Sequence, residues 1–146
     1  SPQGGLRQAD RGVGWASQRG TLFPHMTVSA YVRASGHTNV DVDALMDVLR
    51  INHLLDRMPR NLSGGERRRV AIARAICAAK RALFLDEPFA SLNTGLAREV
   101  SDYIPEFTRN YEVLLLVADH REDLVADLAE VVLRIEDGQI SKVASL

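Results

Sequence analysis

Two uninterrupted apolar runs, ALFL at Ala82–Leu85 and VLLLVA at Val113–Ala118, constrain this chain more than any other feature. Neither alternates polar with apolar residues, so both read as buried strands of the kind found in parallel sheets. Between them Leu96, Val100, Tyr103, Ile104 and Phe107 recur at helical spacing, which predicts a helix over Thr94–Phe107. Pro105 lies inside it and is expected to kink or end the helix near Ser101–Ile104, having no N–H to give. A further helix is expected over Glu122–Ala129. Val131–Ile135 and Gln139–Val143 flank Asp137-Gly138, the signature of a tight hairpin. Strands alternating with helices predict an α/β domain with a parallel sheet and a small antiparallel edge.

The first half of the chain is organised differently. Ser1–Gly12 is polar and glycine-rich and reads as a loop, followed by a short strand VGWAS at Val13–Ser17 that reaches Gln18. The stretch RGTLFPHMT at Arg19–Thr27 is a loop, and Val28–Arg33 a short helix. Val42, Leu45, Met46 and Leu49 recur at i, i+3, i+4 and i+7, so Asp41–Arg50 is an amphipathic helix. Ile51–Leu55 adds a turn before Pro59 breaks it.

Next comes NLSGGERRRVAIARAI at Asn61–Ile76, a helix start aimed at an anion. Ser63 and Glu66 are spaced as a capping box. Gly64 and Gly65 have no β-carbon, so a ligand can approach the unpaired N–H groups at the positive end of the helix dipole. The plainer reading of the same residues is a well-capped, alanine-rich core helix.

Composition narrows the functions available. The 18 basic and 19 acidic residues leave a formal charge of −1, which gives no global attraction to nucleic acid or to an anionic membrane surface. Cys77 is the single cysteine, so there is no disulfide framework and no metal-ligand cluster, in keeping with a reducing compartment. No apolar run approaches the ~20 residues needed to cross a bilayer. The expectation is a soluble, cytosolic protein.

Ligands of parallel α/β sheets gather beyond the carboxyl ends of the strands, where this reading places Gln18, Asp86, Glu87 and His120. A carboxylate there, beside phosphates, is where an octahedral Mg²⁺ would be held. Pro88 disfavours helical backbone at Glu87 and is expected to keep it extended at the strand tip, a posture suited to aligning an attacking water. Taken singly, each of these residues is an ordinary loop polar.

Taken together, Gln18, LSGGE at 62–66, ALFLDEP at 82–88 and His120 resemble the nucleotide-binding domain of ATP-binding cassette (ABC) transporters. LSGGE resembles the signature motif, FLDEP Walker B with its glutamate, Gln18 the Q-loop glutamine, and His120 the switch histidine. The loop LFPHMTV and the closing EDGQI resemble importers of the molybdate, sulfate, iron or thiamine type. The resemblance implies a P-loop NTPase-like α/β core with a parallel sheet, incomplete here, plus a helical subdomain. It implies a partial core at 1–22, the helical subdomain with the signature at 23–80, and the remaining core at 81–146.

The roles it implies are these. Gln18 helps ligate Mg²⁺ and senses the membrane subunit. Ser63, Gly64 and Gly65, within the signature that Glu66 closes, contact the γ-phosphate of ATP held by a second nucleotide-binding domain, a homodimer. Asp86 holds Mg²⁺ through water, Glu87 polarises the lytic water, and His120 bonds the γ-phosphate. Transmembrane permease subunits dock on the helical subdomain, which places the protein at the inner face of the cell membrane. Nucleic acid is not an expected partner.

Two departures stand out: Asn93 where the family's D-loop usually ends in aspartate, and Ser17 where a bulkier residue commonly precedes the glutamine. A third is larger. No G-x-x-x-x-G-K-[ST] occurs, so no phosphate-cradling loop, P-loop lysine or Mg²⁺-binding hydroxyl is supplied. The expectation is the C-terminal part of a longer domain, inactive alone, with bare apolar surface. An ABC-type ATPase of DNA repair or chromosome structure, and a non-catalytic module completing a partner's site, stay open as alternatives.

Overall fold

The computed structural model describes residues 12–18, 20, 22–34 and 40–145. The expected loop at residues 1–11, and Arg19 and Thr21 of the following loop, lie outside them. Strands β1 (Val13–Ala16), β2 (Ala82–Asp86) and β3 (Leu114–Ala118) form a parallel sheet in the order β1-β2-β3. Ala16 stands beside Leu85, and Asp86 beside Ala118, so the three carboxyl ends lie level.

Helix α3 (Gly64–Ala78) packs on the sheet face that carries Gly14, Leu83 and Leu85. The approach is so close that a β-carbon on Gly14 would lie 1.9 Å from the Ala75 carbonyl oxygen. Val70, Ile72, Ala73, Ala75 and Ile76 of α3 are buried with Leu83, Leu85 and Phe89. Helix α1 (Val28–Arg33), helix α2 (Val42–Val48) and two 3₁₀ turns, Asn52–Leu54 and Pro59–Asn61, precede α3 and share its core through Val32, Leu45, Met46 and Leu54. Cys77 sits in this core, where burial pushes its thiol up to about 11, and it serves as packing.

Five expectations need correction. The helix over 41–50 does not run on into Ile51–Leu55: Arg50 takes φ 52, which ends α2, and the next turn is a separate 3₁₀ piece. Pro59 opens a turn instead of breaking one, because a first-turn N–H has no intrahelical acceptor to lose. Helix α4 (Thr94–Asn110) passes through Pro105 without ending. Its buried face of Leu96, Ala97, Val100, Ile104 and Phe107 spans the proline and outweighs one missing backbone bond. The Pro105 carbonyl meanwhile accepts from Thr108 Oγ1 at 3.2 Å and Arg109 Nε at 3.3 Å.

The fourth correction concerns β3, which is not covered on both faces. Leu114 and Leu116 are 68% and 61% exposed, and Trp15 in the same cross-strand row as Phe84 and Leu116 is 60% exposed. Helix α5 (Glu122–Leu128) follows. Strands β4 (Val131–Glu136) and β5 (Gln139–Ser145) then make a hairpin closed by Asp137 and Gly138, both at positive φ as a two-residue turn of this kind requires. The hairpin is its own two-stranded sheet and not an edge of the parallel one, with Val131, Leu133, Ile135 and Ile140 exposed.

Candidate functional site

The level ends of three parallel strands put Gln18, Asp86-Glu87 and Asp119-His120 on one rim. Gln18 joins the first two. Its Nε2 donates to Glu87 Oε2 at 2.7 Å and its backbone N–H to Asp86 Oδ2 at 3.4 Å. Donation from Nε2 leaves Oε1 as the free acceptor of the amide.

Glu87 is not extended: its φ is 48, in the left-handed region that a bulky side chain rarely adopts. The end of β3 imposes this. The Glu87 N–H donates to the Ala118 carbonyl at 2.7 Å, and two residues on the Phe89 N–H donates to Asp119 Oδ2 at 3.2 Å. Asp119 therefore braces the turn that carries Glu87, and its Oδ1 also accepts the Arg121 N–H at 3.0 Å. The side chain of Asp119 is wholly buried.

Sequence reasoning missed Asp119, although it follows an apolar strand just as Asp86 does. Removing its carboxylate in Asp119→Ala orphans two backbone donors, each worth about 1–3 kcal/mol when part-buried. The urea midpoint is expected to fall accordingly, with Asp119→Asn recovering part. His120 projects outward, 69% exposed, with Nδ1 3.6 Å from Asp119 Oδ1. Among the described residues it makes no hydrogen bond to Gln18, Asp86 or Glu87.

The start of α3 forms as its sequence dictates. Glu66 N–H donates to Ser63 Oγ at 3.3 Å, and Ser63 N–H to Glu66 Oε2 at 2.7 Å, closing the capping box. The N–H groups of Gly64 and Gly65 have no acceptor among the described residues, and a β-carbon at Gly64 would meet nothing within 4 Å. Ser63 is exposed, and its hydroxyl proton stays available to an anion.

The Ser63 backbone bond first, then the Ser63 hydroxyl and the nearby Arg57 and Arg69, hold Glu66 below the usual glutamate range. A lowered folded-state pKa means stability that is present above the unfolded value and lost as pH falls through the folded one. As pH falls through the ordinary glutamate range and below it, the first turn of α3 is expected to loosen in the wild type, and less in Glu66→Gln, as read by amide exchange.

Ser91 lies against this helix start, with its Cβ and carbonyl oxygen each 3.8 Å from where a Gly65 β-carbon would stand. Two residues on, Asn93 caps α4: its Oδ1 accepts from the Leu96 N–H at 2.9 Å. That local duty accounts for a short side-chain oxygen acceptor at this position, which Asn and Asp supply alike. Asn93→Ala is expected to cost about 0.5–2 kcal/mol of stability, and Asn93→Asp to cost nothing measurable, by chemical denaturation.

Two carboxylates and an amide oxygen on the rim are hard donors. They suit an octahedral Mg²⁺ that keeps several waters and takes its other ligands from phosphates. Among the described residues no group of three His, Cys, Asp or Glu side chains converges into a metal cage, and such a cation needs none. No helix among the described residues is long and apolar enough to cross a membrane.

Residues 3–90 match the family model described as ABC transporter. Molybdenum import ATP-binding protein ModC of Methylococcus capsulatus is 40% identical over 135 residues, which is 89% of this chain and 38% of that protein. ModC of Escherichia coli K12 is 41% identical over 143 residues, 97% of this chain and 41% of that protein. The chain thus spans about two fifths of the length of these curated relatives. Among solved structures, cbiO1 from Clostridium perfringens, described as part of the ABC transporter complex cbiONQ, superposes with TM-score 0.66 at 26% identity. The match covers 90% of this chain and 57% of that one. A dimeric ATP-binding cassette in a post-hydrolysis state, bound to ADP and Pi, gives TM-score 0.72 at 18% identity, over 92% of this chain and 64% of the other, a likeness of fold alone.

Proposed function

The chain belongs to the ABC transporter family, and from that premise we propose that its residues serve as the signature and Walker B portion of an importer's ATPase subunit. The names of its relatives point to molybdenum import. The observation that carries the reading is the Gln18–Glu87 hydrogen bond at 2.7 Å on the rim of the parallel sheet. It is joined by a capped helix start whose two glycine N–H groups stand open.

In this proposal Ser63, Gly64 and Gly65 grip the terminal phosphate of ATP seated in a facing nucleotide-binding domain, using helix-end donors and the serine hydroxyl. Glu66 keeps the cap closed. Asp86, through water, and Gln18 would hold a Mg²⁺, which when bound would neutralise charge on the phosphates. Glu87 accepts the proton of the attacking water. Its carboxylate is oriented by Gln18, and its backbone is fixed by β3 before substrate arrives. His120, exposed on the neighbouring tip, donates to the terminal phosphate. Ser91, beside the signature, and Asn93 two residues on would border the second domain. Segments 1–22 and 81–146 belong to the ATPase core, and 23–80 is the helical subdomain that meets the permease on the cytoplasmic face of the membrane.

A second reading, a non-catalytic module that completes a partner's site, rests on the exposed helix start at Ser63, Gly64 and Gly65 alone. One experiment separates the two. The chain is mixed with Mg-ATP and an intact homologous ABC domain, and association and turnover are followed. ATP-dependent association lost in Ser63→Arg supports the signature role common to both readings. Added turnover that Glu87→Gln removes supports the catalytic one. No ATP-dependent association counts against both.

A further inference from the structure

Gln18 is held from two sides. Its carboxamide rests on Glu87, and its carbonyl oxygen accepts both Nε (3.1 Å) and Nη2 of Arg68, on the second turn of α3. The contact extends through the backbone. Gly20, at φ 54, closes a turn by donating its N–H to the Ser17 carbonyl at 3.0 Å. A β-carbon there would stand 3.1 Å from Arg68 Cα and 3.2 Å from Arg68 N. The turn therefore lies flat on α3. The planar guanidinium fork makes a charge-assisted pair of bonds that a single ammonium cannot reproduce.

Ser63 and Arg68 are five residues apart on one continuous helix, about 7.5 Å along its axis. A stiff rod thus ends in the anion-presenting glycines and is bolted, just behind them, to the turn that orients Glu87. We propose that Arg68 is a positioning residue that couples the grip of the signature end on one nucleotide to the aim of Glu87 on the other. This rests on the ATPase reading above. Phosphate engagement at Ser63–Gly65 shifts α3, α3 carries the Gln18 carbonyl with it, and the Gln18 carboxamide moves on Glu87. Each link is a bonded contact between named atoms.

The test uses the full-length ATPase subunit assembled with its permease. Arg68→Ala is expected to raise amide exchange at Gln18 and Gly20 about tenfold without nucleotide, leaving β2 and β3 protected. It is expected to lower kcat about tenfold with KM within about twofold, and to bring the Hill coefficient for Mg-ATP toward one. Arg68→Lys, which keeps the charge and one donor, is expected to move every readout the same way by less, and it carries the test should the alanine variant not fold. Unchanged exchange at Gln18 and Gly20 would overturn the clamp. Raised exchange with unaltered kcat and cooperativity would overturn the coupling. Glu87→Gln runs in parallel: turnover that survives it defeats the role given to Glu87 in the reading above, whereas turnover lost there but untouched in both Arg68 variants defeats only this proposal.

Discussion

Glu87→Gln is expected to lower ATP turnover by the full-length subunit about 10²–10⁴-fold while Mg-ATP binding survives. The amide occupies the same volume and its carbonyl oxygen can still accept from Gln18 Nε2, so the 2.7 Å contact on the rim is kept. The backbone should not move either. The left-handed φ of 48 is enforced by Ala118 and Asp119, not by the carboxylate. What disappears is the capacity to take a proton from water. Subunits arrested with nucleotide should therefore accumulate as dimers, visible by light scattering with Mg-ATP present. Asp86→Asn should behave differently: it weakens Mg-ATP binding itself and prevents that accumulation. Equal turnover in wild type and Glu87→Gln would place the proton acceptor elsewhere.

Gly14→Ala should be among the most damaging single substitutions to the fold, although it adds one carbon. The new atom would sit 1.9 Å from the Ala75 carbonyl oxygen and 2.8 Å from its carbon, both backbone, with Ala79 Cβ at 3.0 Å. A relaxed carbon–oxygen approach is about 3.3 Å, so α3 must lift from β1 by more than an ångström. The expected cost is at or above the upper end of the about 1–3 kcal/mol of ordinary overpacking, read as a drop in urea midpoint. Lifting α3 also carries away Ser63 and Arg68, so surviving protein should lose ATP-dependent association. Gly95→Ala is the control: its nearest neighbour atom would be 3.7 Å away, in the first turn of α4, and the change should be neutral or stabilising. A wild-type midpoint in Gly14→Ala would mean that the helix does not lie so close to the strand.

The fold class and the rim were legible from the sequence because both rest on local pattern. Apolar runs announced the strands at 82 and 113, a Ser-x-x-Glu spacing announced the start of α3, and polar residues just beyond each run marked the tips. What escaped depends on distant partners. Glu87 was expected to be extended from the proline after it, but a carbonyl 31 residues away sets its φ. Pro105 is expected to kink or end its helix, yet the buried stripe carries the helix through without an end. VLLLVA reads the same whether one face or both are covered, so the exposure of Leu114 and Leu116 could not be seen in it. Asp119 and Arg68 act through backbone groups on other elements, and no spacing rule encodes such contacts.

The exposed row of the parallel sheet has a practical use. Trp15, which stands there, is the single tryptophan of the chain. Its intrinsic fluorescence therefore reports on one surface with no other indole to dilute the signal. Emission should be red and readily quenched by iodide while that surface meets water, and should turn blue and shielded when another polypeptide settles over it.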